Sequence, residues 1–437
     1  MELHELLQLY RRHPVVKSMG RLLCTEKKRR IHIAGAQASL LPMAFASLRE
    51  VQPEALSRPF LFVLDDAEEA GYFYHDLVQI LGEQQVLYFP SSFRRAVRYG
   101  QRDAANEILR TEALARLTSC SLPPAPCPFI VTYPDALAEQ VVSKELLTER
   151  TLTLARGQKI DITEVESTLI DFGFCRVDYV YEPGQFSVRG SIVDVFSFSN
   201  ELPYRIDFFD DEIDSIRTFE VQTQLSVEKQ QEIRIVPELA QQSDRESMLA
   251  FLPADTVIVL KNVTYLCETI GAICEAGISR QAQIKNDEWR HTAPEEVLVE
   301  ADAFSRQLLG FRLVEFGHQP TLKPDAQVEF DVTPQPIFHK NFDLATATFR
   351  DYLSQRYTLY ILADSQKQNE RLKAIFDDLP DGQTEWGRIT FIPVNKTLHA
   401  GYADHTLRVC LFTDHQIFDR FHKYNLKSDR ARRGKVA

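Results

Sequence analysis

The sequence predicts an α/β protein: a mainly parallel sheet, a β-rich α+β domain inserted into it, and a small α/β unit after it. Three observations predict this. Short apolar runs at 31–34, 60–64, 86–89 and 129–132 alternate with helical stretches at 66–81 and 103–117, the pattern of strands joined by crossover helices. Between 182 and 217 the pattern changes to period-two alternation broken by short turns, which is hairpin patterning. The α/β rhythm then returns, with candidate strands at 256–260, 297–299 and 311–315, and again at 357–363, 389–393 and 407–413.

The bulk numbers agree with such a protein. A chain of 437 residues holds three or four packed units, and 44% hydrophobic with 26% charged residues is ordinary globular composition. No apolar run reaches the roughly 18 residues of a membrane helix. The first fourteen residues, MELHELLQLYRRHP, read as an amphipathic helix rather than a signal peptide. Seven cysteines form no CxxC pair, so neither a zinc knuckle nor a disulfide framework is indicated, and a reduced, cytoplasmic protein is expected.

The first strand runs into AGAQASLLPM at 34–43. A phosphate-binding loop at this place needs GxxxxGK[ST]: glycines for close backbone approach, a lysine on the phosphates, a hydroxyl on magnesium. Aligned on Gly35, those three positions hold Leu40, Leu41 and Pro42. The strand-loop-helix frame remains and the chemistry is gone. The fold expected is therefore a degenerate, helicase-like P-loop domain that neither binds nor hydrolyses ATP. The nearest metal-binding strand end, Asp414-His415, reads as ordinary strand-end residues.

Residues 93–116 carry Arg94, Arg95, Arg98, Arg102, Arg110 and Arg116 with Tyr99 among them. Such interleaving can track a nucleic-acid backbone, but the acids around it favour a solvated, salt-bridged face. After a stiff loop at 121–128 and a fourth strand, a helix is expected around 141–147. The segment 146–238 holds nine Lys/Arg against eighteen Asp/Glu, a net charge of −9. Affinity for nucleic acid rests on neutralising phosphates, so this segment suits a protein partner, and weak or no DNA binding is expected of the chain. In its strand 203–209, Tyr204, Ile206 and Phe208 share one face, while Arg205, Asp207 and Phe209 share the other. A guanidinium beside a large aromatic on a wet face suits protein recognition. The alternative is a solvated face with one incidental phenylalanine. The acidic run 210–214 reads as a solvated turn, the eleven scattered histidines form no metal motif, and no catalytic, metal or cofactor site is expected.

VRGSIVDVF at 188–196 followed by PYRIDFFDDEIDSIR at 203–217 resembles the second domain of the bacterial transcription-repair coupling factors, and more loosely the excision-nuclease protein UvrB. TLTLARGQKI at 151–160 with YVYEPGQF at 179–186 extends the resemblance, and PQPIFHKNFD at 334–343 resembles the family's exit from the module it shares with UvrB. The resemblance implies four parts. Residues 1–145 are the degenerate nucleotide-binding-like domain. Residues 146–238 are the inserted domain that binds UvrA, the excision-nuclease protein that acts with UvrB. Residues 239–335 complete the UvrB-like module, and 336–437 form the small α/β domain and a basic linker without a core. It implies an adaptor that brings excision repair to a stalled RNA polymerase. The family's polymerase-binding and ATP-driven translocase parts, which meet polymerase and DNA, are expected outside these residues. By the same resemblance Arg189, Arg205 and Phe209 form the centre of the partner site. Otherwise both arginines pair with acids of their own sheet, such as Asp194, Asp207 or Asp211. The rival reading, an ATP-dependent helicase or a UvrB-like damage-binding protein, is opposed by Leu40-Leu41-Pro42 and by the lack of a Tyr-rich hairpin.

Overall fold

The computed structural model describes residues 1–92, 103–119, 127–240, 242–283, 297–379, 387–424 and 426. Seven parallel strands form the main sheet, in the order Ala326–Glu329, Arg30–Ala34, Arg312–Glu315, Val257–Leu260, Phe60–Val63, Phe129–Thr132 and Val86–Tyr88. The runs FLFV, FIVT and VIVL are buried at every position, as parallel strands covered by helices on both faces must be. Strands from before and after the insertion interleave here: Arg30–Ala34 lies between two strands that come almost three hundred residues later. Two short ladders tie the insertion's exit to its return. Leu152–Ala155 pairs with Glu232–Ile235, and Val141–Val142 pairs with Arg245–Glu246.

That second ladder corrects the helix expected around 141–147. The β-branched pair Val141-Val142 is extended, and helix Lys144–Glu149 starts only at Ser143, whose hydroxyl accepts from Leu146 N. The strand expected at 297–299 is also absent; Leu298 makes one isolated bridge to Glu139. The second candidate strand of the last unit, expected at 389–393, lies later, at Ile392–Asn395. The N-terminal helix is interrupted between Tyr10 and Pro14, where the His13 ring accepts from Val15 N and caps helix Pro14–Cys24.

The insertion folds as a six-stranded sheet in the order Ser226–Gln230, Glu212–Phe219, Tyr204–Phe209, Ile192–Val195, Gln185–Arg189 and Cys175–Arg176, antiparallel except for the last pair. One face, with Phe186, Val193, Ile206, Phe208 and Ile216, packs on Val165 and Leu169 of helix Ile162–Asp171.

The last unit is a five-stranded sheet flanked by helices Phe342–Ser354 and Gln366–Asp377. Its strand Thr358–Ala363 divides its side chains strictly. Leu359 and Ile361 join the unit's own core, while Tyr360 and Leu362 enter the core of the main sheet. The unit is thus docked through an apolar face. Among the described residues, no helix is long and apolar enough to cross a membrane.

Candidate partner interface and the filled nucleotide loop

Strand register decides which residues of the insertion reach solvent. Ser187, Asp194, Arg205 and Arg217 are directly paired across four strands, and Arg189, Ile192, Asp207 and Ser215 form the row beside them. Both rows lie on the face opposite the Phe186–Ile206 core, because side chains alternate along each strand. Arg189, Arg205 and Phe209 therefore share one outer face, and the register of Arg189, open in the sequence, is fixed by its pairing.

Their environments differ. Arg205 is held on every side: Nε and Nη2 donate to the two Asp194 oxygens at 2.8 and 2.9 Å, and Nη1 and Nη2 donate to the backbone and side-chain oxygens of Gln224. Its guanidinium lies 4.2 Å over the Phe219 ring. Hydrogen bonding to Asp194 holds its pKa above the ordinary arginine range. Its side chain is 12% exposed and that of Asp194 only 1%. Arg189 reaches the same carboxylate at 2.7 Å but keeps 38% of its side chain exposed, and it lies 4.8 Å over the Tyr179 ring. Phe209, at the end of its strand beside the Asp210 turn (φ 59°), is 79% exposed. The pairing of both arginines with Asp194, held open as an alternative in the sequence, is present. Arg205 is thus built into the sheet, and only Phe209 and the outer part of Arg189 are open to a partner.

Two contributors escaped the sequence reading. Tyr179 and Tyr181 are half or more exposed, and the Tyr179 ring lies under the Arg189 guanidinium. Val180, between them in sequence, is buried in a small cluster with Phe196 and Phe219. The available signal was the lone carboxylate in the apolar run IVDVF, at the same alternation as Arg205 across the hairpin.

The degenerate loop is closed by protein. Gly35 (φ +73°) carries the chain past Phe330, whose carbonyl oxygen would lie 2.1 Å from any Cβ. Its glycine character thus serves packing at a strand end. Leu40, Leu41 and Pro42 begin helix Leu40–Val51 and are buried. At the helix N-terminus, where phosphate would sit in a functional loop, Ser39 N donates to Ala400 O and Ala400 N donates to Ser39 Oγ. Asp76 completes the plug, accepting from Ser39 Oγ at 2.6 Å and from His399 N at 2.7 Å. Burial pushes its carboxyl up to about 7.

The remaining candidates sort as structural. Arg110 is buried, donating to the Pro90 and Ala136 carbonyls beside Glu139. Arg94, Arg95, Arg98, Tyr99 and Arg102 lie outside the described residues. Asp414 is buried and paired with Arg420. The tail expected to lack a core does pack in part: His422 stacks on His415 at 4.3 Å, and Tyr424 packs edge-on against Tyr72.

Comparison with known proteins agrees with this division. Residues 152–240 match the family described as the UvrB interaction domain. The chain is 28% identical over 207 residues to the transcription-repair-coupling factor of Bacillus subtilis, covering 46% of this chain and 17% of that protein. It is 23% identical over 385 residues to that of Staphylococcus aureus (strain RF122), covering 74% and 32%. It is 37% identical over 103 residues to that of Escherichia coli, covering 24% and 9%. The chain spans about a third or less of the length of these relatives. The resemblance read from 182–217 is borne out, and its matched domain carries the outer face with Phe209.

Proposed function

We propose that this chain, similar to transcription-repair coupling factors over most of its length, is the part of such a factor that recruits excision repair. The inserted domain binds UvrA, and the outer face around Phe209 is where it does so. Regions outside these residues would engage RNA polymerase and drive translocation on DNA. The observation that carries the reading is the exposure of Phe209 on a folded sheet within the matched domain. Large aromatics are normally withdrawn from water, and an exposed one beside an arginine–aromatic stack has the composition of an interface centre. Arg189 would offer the partner the half of its guanidinium that Asp194 leaves free. Arg205 acts indirectly, by fixing Asp194 and the 220–225 segment. The chain itself carries no ATP chemistry in this reading, because the helix terminus that would hold phosphate is bonded to Ala400.

The test is calorimetric titration of purified UvrA into this chain and its Phe209→Ala variant. Phe209 supports little of the fold, so the variant should keep its melting temperature and lose affinity by at least tenfold. Equal affinity of both proteins would place the interface elsewhere, and no binding by either would remove the adaptor reading.

A further inference from the structure

A second surface is charged oppositely to the insertion. Residues 11–30 hold eight Lys/Arg and a single acid, Glu26, in a chain whose net charge is −12. The parallel sheet concentrates this further, since all its strands begin on one edge. Lys28 and Arg29 lead into Arg30–Ala34, Arg312 opens the adjacent strand, and Arg58 precedes Phe60–Val63.

The hydrogen bonds made here do not neutralise the charge. Arg29 donates to the carbonyl of Gly310, and Arg30 to those of Leu309 and Phe311. Arg312 donates to Leu22 and Leu23, and Lys28 to the Asp325 carbonyl. These guanidinia cap the C-terminal ends of helices Ala301–Leu309 and Pro14–Cys24, where cations are favoured. The Asp325 carboxylate is committed to the backbone N–H groups of Arg29 and Arg30, at 2.9 Å each. Arg11 pairs with Glu50. Among the described residues no carboxylate pairs with Lys17, Arg21, Lys27, Arg29, Arg30 or Arg312. Burial and the neighbouring Arg58 and Arg29 charges lower the Arg312 pKa, against a smaller opposing effect of Glu26, the direction expected where cations crowd.

Lys17 and Arg21 are exposed one turn apart on helix Pro14–Cys24, so they extend the patch along the helix. Arg21 also borders the groove between that helix and the edge strand Ala326–Glu329.

We propose that this edge binds the phosphate backbone of duplex DNA, without reading sequence. A row of cations with carbonyl-fixed arginines beneath it matches a polyanion of regularly spaced charges. A protein partner would need an exposed apolar anchor, and among the described residues of this neighbourhood Leu309 alone is a large exposed hydrophobic side chain. The inserted domain, at −9, stays off the DNA and free for its own partner. The contact is weak and strongly salt-dependent, in keeping with the chain's overall negative charge.

The test is fluorescence anisotropy with a labelled duplex of about 20 base pairs at about 50 mM salt, where such contacts are tightest. Binding in the micromolar range, falling steeply as salt rises, is expected. The triple reversal Lys17→Glu, Arg21→Glu, Lys27→Glu, all at exposed positions, should weaken it at least tenfold with an unchanged melting curve. Should the reversal destabilise the chain, Lys17→Gln with Lys27→Gln gives the same reading at lower amplitude. The proposal is overturned by an absence of salt-dependent binding, or by unchanged binding after charge reversal. It is also overturned if Arg94→Glu with Arg95→Glu abolishes binding while the triple reversal leaves it. Polyglutamate bound as tightly as DNA would show an acidic-protein site instead.

Discussion

The nucleotide loop and the outer face of the insertion are two sites of recognisable ancestry that ended differently. At the loop the phosphate position has been taken over by the chain's own groups: the Ala400 carbonyl, the Ser39 hydroxyl and the buried Asp76 carboxylate. At the insertion the polar groups are also satisfied internally, through Asp194, yet a phenylalanine is left 79% exposed. A polar group without a partner is costly when buried, so an unused polar pocket is under pressure to be filled. An exposed aromatic side chain carries a much smaller cost and can persist as an anchor. The open apolar feature left at the insertion's outer face is thus Phe209, with Arg189 and Arg205 paired to Asp194 on the same face.

The largest effect is expected at the loop. Restoring the missing chemistry with Leu41→Lys and Pro42→Ser should not restore ATP binding, because Ala400 and Asp76 still occupy the site. Placing an ammonium at a position that is 6% exposed should cost several kcal/mol, about the penalty for a buried unpaired charge. Micromolar ATP affinity by calorimetry, in the native chain or this variant, would show that the site opens.

Removing the support of the outer face comes next. Asp194→Ala strips Arg205 of its counter-ion, and the loss should be about 3 kcal/mol, read as a lower denaturation midpoint. Arg205→Ala should likewise lower the melting temperature. This departs from the simple expectation of an exposed anchor, which would leave stability untouched. If Arg205→Ala melts like the native chain yet fails to bind UvrA, then Arg205 leaves Asp194 in the complex.

Phe209→Ala should show the reverse: an unchanged melting temperature and a binding loss of about 2 kcal/mol, roughly thirtyfold. Together the two substitutions sharpen the distinction between anchor and support.

The smallest effect concerns how firmly the loop is plugged. His75, His399, His415 and His422 meet between helix Ala67–Leu81, the 398–400 segment and the tail, with Asp364, Asp414 and Arg420 facing them. Burial lowers the pKa of all four, His399 to about 4 and His422 to about 3. In the undocked state they take up protons near 6.5, whereas the docked state resists. Docking stability is therefore full above about 6.5 and declines as pH falls toward 4. The raised carboxyls of Asp76 and Asp414 act oppositely, since protonation relieves their burial. With four histidines against two acids, acidification should loosen the last unit. Protection of 398–424 against hydrogen exchange, taken relative to the intrinsic amide rate at each pH, should fall from about pH 7.5 to about 5.5, and His399→Gln should flatten that dependence. Protection that rises at the lower pH would mean that the acids dominate.

Much of this was determined by local sequence. Uninterrupted apolar runs such as FLFV and VIVL can satisfy burial on both faces only inside a parallel sheet. Strict alternation in YRIDFF assigns Arg205 and Phe209 to one face whatever the tertiary context. The loss of the phosphate loop's lysine and hydroxyl is likewise written in three consecutive letters. Tertiary structure decided what depends on pairing partners distant in the chain. The register of Arg189 required the neighbouring strand, and the binding of both arginines by Asp194 required three strands in alignment. Val141-Val142 became a strand because Arg245–Glu246 arrives beside it from a hundred residues away. Above all, nothing near Gly35 foretells that Ala400 will close its loop. Local patterning fixes which face a side chain takes, because backbone geometry repeats along the chain. What lies against that face is set by segments whose separation in sequence carries no record of their contact.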